Sequence, residues 1–188
     1  MNTLCIERSS GGGKSGEWVS ELDLSRRPDR IIVGTGPGSF AGVRSALAFA
    51  QGYAIGSGCE VLGLPSACAL ALPDRPTAVV GDARRGKAWI ALFDGLKPLG
   101  DVFLADAGDV AGAVRDGFGR MLGRVPDNFV ATSPDDARIG GLMREAFGDR
   151  YDGGRTPVSE GLLAFAEACP SALRSEPLPV YLTPAVRD

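Results

Sequence analysis

Histidine does not occur anywhere among the 188 residues. Its absence removes the side chain that most often acts as a general base near neutral pH, and also the most common ligand of catalytic metals. Mechanisms of the Ser-His-Asp and Cys-His types are excluded, as are metal sites built on histidine. Any catalytic or metal site in this chain would therefore have to be built without histidine.

Long apolar segments are also missing from the sequence. No run approaches the roughly 20 apolar residues that cross a bilayer. The start of the chain, MNTLC, lacks the basic region and the apolar stretch of a signal peptide. These features predict a cytoplasmic protein without membrane association.

Cysteine is scarce, with four residues and no C-x-x-C pair. This spacing argues against a zinc knuckle and against a dense disulfide framework, and it favours free, buried thiols.

An excess of positive charge is lacking as well, because 20 basic residues face 23 acidic ones and the net charge is -3. Binding dominated by nucleic-acid phosphates requires a basic surface. Direct binding of nucleic acid by this chain alone is therefore not expected.

Apolar residues, by contrast, make up 44% of the chain, and 27 glycines and 13 prolines are spread between the apolar runs. This punctuation is typical of many short elements in a dense α/β structure. Two halves with nearly the same order of elements meet near Pro73–Pro76, which predicts an N-terminal subdomain at 1–76 and a C-terminal subdomain at 77–188. A doubled ribonuclease-H-like unit has this order and is the architecture of actin-like ATPases. That analogy concerns the fold and assigns no function.

The individual elements follow from the period of the apolar residues and from the turn residues between them. In the first half we predict strands at 3–7, 17–24, 30–33 and 60–64, and helices at 42–55 and 66–72. In the second half we predict a three-stranded meander at 77–80, 87–93 and 97–103, a strand at 128–131, and helices at 109–118, 134–147 and 158–169.

A glycine-rich loop joins the strand at 30–33 to the helix at 42–55. Such a loop can direct backbone amides at an anion at the helix N-terminus, and the candidate residues are Gly34, Gly36, Gly38 and Ser39, with Arg44 as counter-charge or ion-pair partner. A dinucleotide-binding fingerprint would require glycine where Ser39 stands. The alternatives are a tight strand-to-helix connection and a loop that contacts phosphate or a partner.

The helix after this loop carries small residues around much of its circumference, so another backbone could approach it closely. Burial against the chain's own sheet and contact with another protomer are both compatible with this composition. The candidate interface residues are Val43, Ala46, Leu47, Ala50 and Ala54.

Asp82 and Arg84 lie in a tight, charged hairpin, at the position that an actin-like fold directs toward its cleft. A charged turn explains both residues, since catalysis by Asp82 would need a metal or nucleotide that the remaining sequence does not predict.

Four segments of the chain resemble the TsaB (YeaZ) family of the M22 glycoprotease-like superfamily. Residues 31–44, IIVGTGPGSFAGVR, resemble a family signature that ends in G-x-G-P-G-S-F-T-G-[LV]-R, and Ala41 replaces the threonine. Residues 62–71, 81–89 and 177–184 are similar, in the same order, to three further family segments.

The resemblance implies a duplicated actin-like (ASKHA) fold and a role in forming threonylcarbamoyladenosine at position 37 of tRNA. It implies that this chain is a non-catalytic partner of a TsaD-like subunit, which carries the metal and the catalysis, so that no catalytic residue, metal site or cofactor is expected in this chain. It also implies that a TsaE-like ATPase joins the assembly. The tRNA would be contacted only indirectly, and a homodimer is a further expectation.

Two departures from the family pattern affect these expectations. Glu7, Arg8 and Ser9 replace the small residues of the first phosphate loop, which makes nucleotide binding less favourable. Only Ser25–Asp29 stand where the family has a long helix, so the first half is predicted to be shortened by one helix. An ATPase or phosphotransferase of the same fold, and a dimeric remnant outside the tRNA pathway, remain the alternative functions.

Overall fold

The computed structural model describes residues 2–10 and 27–182. The described chain forms two compact units, one made of the residues up to Leu70 together with Pro157–Val180, and one made of Ala71–Thr156 together with Tyr181 and Leu182. The strand predicted at 17–24 and part of the shortened segment at 25–29 lie outside the described residues.

A parallel three-stranded sheet forms the centre of the first unit. Its strands are β1 (Thr3–Ile6), β2 (Arg30–Gly34) and β3 (Glu60–Leu64), in the order β1-β2-β3. Ile6 lies opposite Val33, and Gly34 lies opposite Leu64. Most residues of these strands are buried, as expected for parallel strands that are covered on both faces.

The helix α1 (Phe40–Ser57) connects β2 to β3 and is longer than the predicted 42–55. It begins at Ser39, whose Oγ accepts a hydrogen bond from the Gly42 amide at 3.3 Å. It ends at Gly58, where φ is +70° and the amide bonds to the Ala54 carbonyl at 2.7 Å. A short 3-10 helix at Ser66–Leu70 replaces the helix predicted at 66–72.

A mixed sheet forms the centre of the second unit, and its order is β6-β5-β4-β8-β9, with β7 paired to β5. Its strands are β4 (Thr77–Arg84), β5 (Lys87–Asp94), β6 (Lys97–Pro98), β7 (Phe103–Asp106), β8 (Val130–Ser133) and β9 (Tyr151–Gly154). The helices α2 (Val110–Leu122) and α3 (Asp136–Phe147) belong to the same unit. Its buried core includes Val80, Ile90, Val114, Phe118, Phe129 and Met143.

The prediction of one continuous third strand at 97–103 in the meander is wrong, because two separate short strands, β6 and β7, occur there. The chain leaves β5 through β6, turns at Gly100 with φ +83°, and re-joins the same strand as β7. The strand β9 was not predicted, because its sequence YDGG has little intrinsic preference for extended structure and the pairing with β8 defines it.

The last helix, α4 (Ser159–Ala168), packs on the 3-10 helix at Ser66–Leu70 and on β1. Residues 157–180 thereby belong to the first unit, whereas the predicted subdomain 77–188 assigned them to the second half. The helix α4 packs closely against the 3-10 helix of this unit, where a Cβ atom on Gly161 would stand 2.6 Å from the Ala69 carbonyl oxygen. No helix within residues 2–10 and 27–182 is long and apolar enough to cross a membrane.

Candidate functional site

The predicted glycine loop leaves the end of β2 and enters α1 through a cis peptide bond between Gly36 and Pro37. The Gly36 amide donates to Ser66 Oγ at 3.0 Å, and the Ser66 amide donates back to the Gly36 carbonyl at 2.8 Å. The Ser39 amide donates to the Ser9 carbonyl at 2.6 Å. The amides of Gly36 and Ser39, two of the predicted anion donors, are therefore already bonded within the chain.

The first loop of the chain lies directly against the same glycines. A Cβ atom on Gly38 would overlap the backbone of Ser9, and one on Gly42 would overlap the Arg8 carbonyl oxygen. Glycine is needed at these two positions because another backbone segment approaches too closely for any side chain. The loop thus serves packing within the chain. This agrees with the prediction of a tight strand-to-helix connection, one of the two alternatives for this loop.

Glu7 is a buried acid, 4% exposed, at the base of this loop. Its Oε1 accepts a hydrogen bond from the Ser9 amide at 2.6 Å, and its Oε2 has no hydrogen-bond partner among the described residues. Burial raises the pKa of Glu7, and hydrogen bonds, mainly from Ser9, offset only part of that effect. Sequence reasoning treated Glu7 only as a substituted loop residue, although an acid at the end of an apolar strand was a usable signal.

Arg44 lies on the outside of α1, with its guanidinium carbon 3.8 Å from the centre of the Phe40 ring. The Phe40 side chain is 62% exposed. A cation over an aromatic face is an attractive contact and an alternative to the predicted counter-charge for an anion.

Four of the five predicted interface residues of α1 face the chain's own core. Val43, Ala46, Leu47 and Ala50 are at most 5% exposed, and they pack with strand residues of β1 and β2. Ala54 is half-buried. The assignment of these four residues to a protein interface is wrong, because α1 uses this stripe to cover the sheet.

The outer side of α1, away from the sheet, is exposed and carries apolar residues beside polar ones such as Arg44 and Gln51. Phe40, Phe49 and Ile55 are 62%, 43% and 88% exposed. Between them lie small exposed residues, Ala41, Ser45, Ala48 and Gly52. These exposed apolar side chains are spread along the length of α1 and offer contacts to another protein.

Asp82 and Arg84 lie at the tip of the β4–β5 hairpin, as predicted. The Asp82 amide donates to Asp135 Oδ2 at 2.9 Å, and the Asp82 carboxylate pairs with Arg84 at 3.4 Å and with Arg138 at 3.8 Å. Arg84 and Arg85 both have positive φ, +67° and +52°. The residues form a charged, ion-paired turn, and no group of three or more His, Cys, Asp or Glu side chains suited to a metal occurs within the described ranges.

The four cysteines are free thiols, as predicted, but only Cys5 and Cys68 are buried, whereas Cys59 and Cys169 are half-buried. Burial raises the pKa of the Cys5 thiol to about 12 and also raises that of Cys68. Both thiols are therefore protonated at neutral pH and poorly nucleophilic.

Residues 17–129, more than half of the chain, match the family model described as TsaD: tRNA N6-adenosine threonylcarbamoyltransferase. The chain belongs to the TsaD family. The matched range includes the glycine loop, α1 and the β4–β5 hairpin of this TsaD-family chain.

Two solved structures share the fold of this TsaD-family chain. YeaZ from Pseudomonas aeruginosa has a TM-score of 0.67, covering 96% of this chain and 99% of that one. A Pseudomonas aeruginosa protein described as similar to peptidase YEAZ has a TM-score of 0.65, covering 97% and 99%. Each is 18% identical, and the likeness concerns the fold. The predicted actin-like α/β fold and the relationship to the TsaB (YeaZ) family are confirmed.

Relatives in Mycobacterium tuberculosis and Mycobacterium bovis, each described as an uncharacterized protein, are 37% identical to this TsaD-family chain over 83 residues. The matched segment covers 42% of this chain and 38% of each relative. The chain therefore matches well under two thirds of these relatives' length.

Proposed function

We propose that this chain is a non-catalytic partner of a TsaD-like transferase in the formation of N6-threonylcarbamoyladenosine on tRNA, and that it docks through the outer face of α1. Membership of the TsaD family supports a role in this pathway. The exposed apolar side chains of that face, above all Ile55 at 88% exposure, carry the proposal of docking.

Three further observations support a non-catalytic role. The sequence has no histidine to hold a metal or to act as general base. The amides of Gly36 and Ser39 are bonded to Ser66 and Ser9, so they are not available to a phosphate. In the hairpin, the Asp82 carboxylate is paired with two arginines. Catalysis and the metal would then belong to the TsaD-like partner. A TsaE-like ATPase would be a second partner, and this chain would contact tRNA only indirectly. The assembly would be cytoplasmic.

The deciding experiment is co-purification of this chain with the TsaD-like protein of the same source. Ala48→Arg places a long charged side chain on the exposed outer face, and we expect at least roughly tenfold weaker pairing, or about 1.4 kcal/mol. Ala168→Arg, on an exposed position of α4, is the matched control and should pair normally. Ala46→Arg is unsuitable, because Ala46 is 0% exposed and the change would disturb the core.

Failure of the unaltered chain to pair would contradict the scaffold role, and equal pairing of both variants would contradict the docking surface. A second copy of the chain could occupy the same face, which light scattering of the isolated protein would detect as a dimer that Ala48→Arg disrupts. Titration calorimetry with ATP and Mg²⁺ tests the alternative of an ATPase or phosphotransferase, for which tight binding would be required.

A further inference from the structure

The carboxyl ends of β1, β2 and β3 form the edge at which open parallel sheets usually hold ligands. In this chain the Glu7 side chain occupies that edge. A Cβ atom on Gly34 would overlap Glu7 Oε2 and would stand 2.8 Å from Ser66 Oγ. The carboxyl group therefore crosses the end of β2 toward the residues that follow β3.

The backbone that follows Glu7 closes over the glycine loop. Arg8 and Ser9 lie against Gly42 and Gly38, and the Ser9 carbonyl accepts the hydrogen bond of the Ser39 amide at 2.6 Å. Segment 7–9 and the start of α1 thus form one closed contact, with the Glu7 carboxyl group buried beneath it.

Among the residues that the structure describes, the titratable groups next to Glu7 are two thiols, one acid and Arg8, the next residue along the chain, whose backbone also bonds to Glu7. A negative charge on Glu7 raises the pKa of Cys5 in β1 and of Cys68 in the 3-10 helix. Glu160 of α4 likewise raises the pKa of Cys5. Burial is the main influence on the Glu7 carboxyl itself, and its other influences are hydrogen bonds from Ser66 and from the adjoining loop residues. One oxygen of the buried Glu7 carboxyl group has no hydrogen-bond partner among the described residues, so its charged form is costly, whereas the neutral acid is not.

We propose that the Glu7 side chain itself fills the ligand edge of this sheet. Glu7 carries a proton while segment 7–9 is closed, that is, packed against the glycine loop. Loss of the proton releases the segment from that loop. This contact is internal to the first unit, so it stands independently of the proposed docking on α1.

Linkage gives the direction of the pH effect. The closed form binds one proton more than the open form at every pH between the ordinary Glu pKa of 4.5 and the raised pKa of the closed form. Closure is therefore strongest at the acidic end of this window, and it weakens by about tenfold for each pH unit as the pH rises.

Hydrogen exchange of the Ser39 amide measures the closed contact directly. In the unaltered chain, protection corrected for the intrinsic exchange rate should fall by about tenfold per pH unit within the window, and Glu7→Gln should abolish this fall. Glu167→Gln, at an exposed glutamate of α4, is the matched control and should behave like the unaltered chain. Equal pH profiles for the unaltered chain and Glu7→Gln would overturn the proposal.

A second measurement does not depend on any variant folding correctly. Titration of the side-chain carboxyl carbons by NMR should show Glu7 still protonated at pH values well above the ordinary Glu pKa of 4.5. Titration of Glu7 at the ordinary Glu pKa of 4.5 would equally overturn the proposal.

Discussion

Ser66 and Gly36 bind each other twice, through the Gly36 amide to Ser66 Oγ at 3.0 Å and through the Ser66 amide to the Gly36 carbonyl at 2.8 Å. This pair joins the glycine loop after β2 to the residues after β3. Ser66 is 1% exposed, so water cannot readily replace its hydroxyl group.

Ser66→Ala should lower the free energy of unfolding by about 1–3 kcal/mol, because the buried Gly36 amide would lose its acceptor. Ser45→Ala is the matched control, since Ser45 is exposed on α1 and its hydroxyl donates to the Ala41 carbonyl of the same helix at 2.7 Å. We expect a change within about 0.5 kcal/mol for the control. Urea denaturation of both variants measures the difference, and equal losses would contradict the role given to Ser66.

Two glycines of α1 should respond oppositely to the same substitution. Gly42→Ala should destabilise the chain, because the new Cβ would overlap the Arg8 carbonyl oxygen. Gly52→Ala should stabilise it by about 0.5–1 kcal/mol, because nothing lies within 4 Å of the new atom and alanine favours the helix. Thermal unfolding distinguishes the two, and stabilisation by Gly42→Ala would show that the first loop does not cover this position.

Glu7→Gln should make the chain more stable at pH 8 and should flatten the dependence of stability on pH. Burial raises the pKa of Glu7 in the folded chain, so the folded state holds a proton that the unfolded state has lost. Stability from this group is fully present below the unfolded pKa and decreases as pH rises toward the folded pKa, by about 1.4 kcal/mol per unit. Denaturant midpoints at several pH values measure the slope, and an unchanged slope in Glu7→Gln would contradict this assignment.

Phe129→Ala should cost about 3–5 kcal/mol, because Phe129 is 2% exposed in the core of the second unit. Its ring centre lies 5.3 Å from that of Phe118 and 6.1 Å from that of Phe147. Phe49→Ala, at 43% exposure on the outer face of α1, should cost much less. Calorimetric melting of both variants measures the loss of stability in each. Similar losses would contradict the assignment of Phe129 to the core and of Phe49 to the surface.

Much of the fold could be predicted from local patterns. The strand 60–64 was predicted with its observed bounds, and the helices at 134–147 and 158–169 lie within two residues of the observed ones. These segments have clear apolar periods and strong boundary residues, which act locally. The strand β9 and the split of the predicted third meander strand could not be found in this way, because pairing with distant strands decides both.

The candidate site was predicted less well than the fold. The position of the glycine loop and of the Asp82–Arg84 hairpin followed from turn residues, but the partners of these groups did not. Ser9 and Ser66 contact the loop from two other parts of the chain. Each is 30 residues from its partner in the sequence, Ser9 from Ser39 and Ser66 from Gly36. Such non-local contacts leave no local period in a sequence.

By itself, the sequence determined the order of most elements, the family motifs and the absence of any histidine chemistry, because these depend on residue types and on short-range spacing. Only the tertiary structure decided which stripe of α1 is buried, that α4 returns to the first unit, and that Glu7 fills the end of the sheet. The physical reason is that a helix with apolar residues on both faces has no preferred inner side until a sheet covers one. The glycine loop likewise has no defined partner until the first loop packs against it.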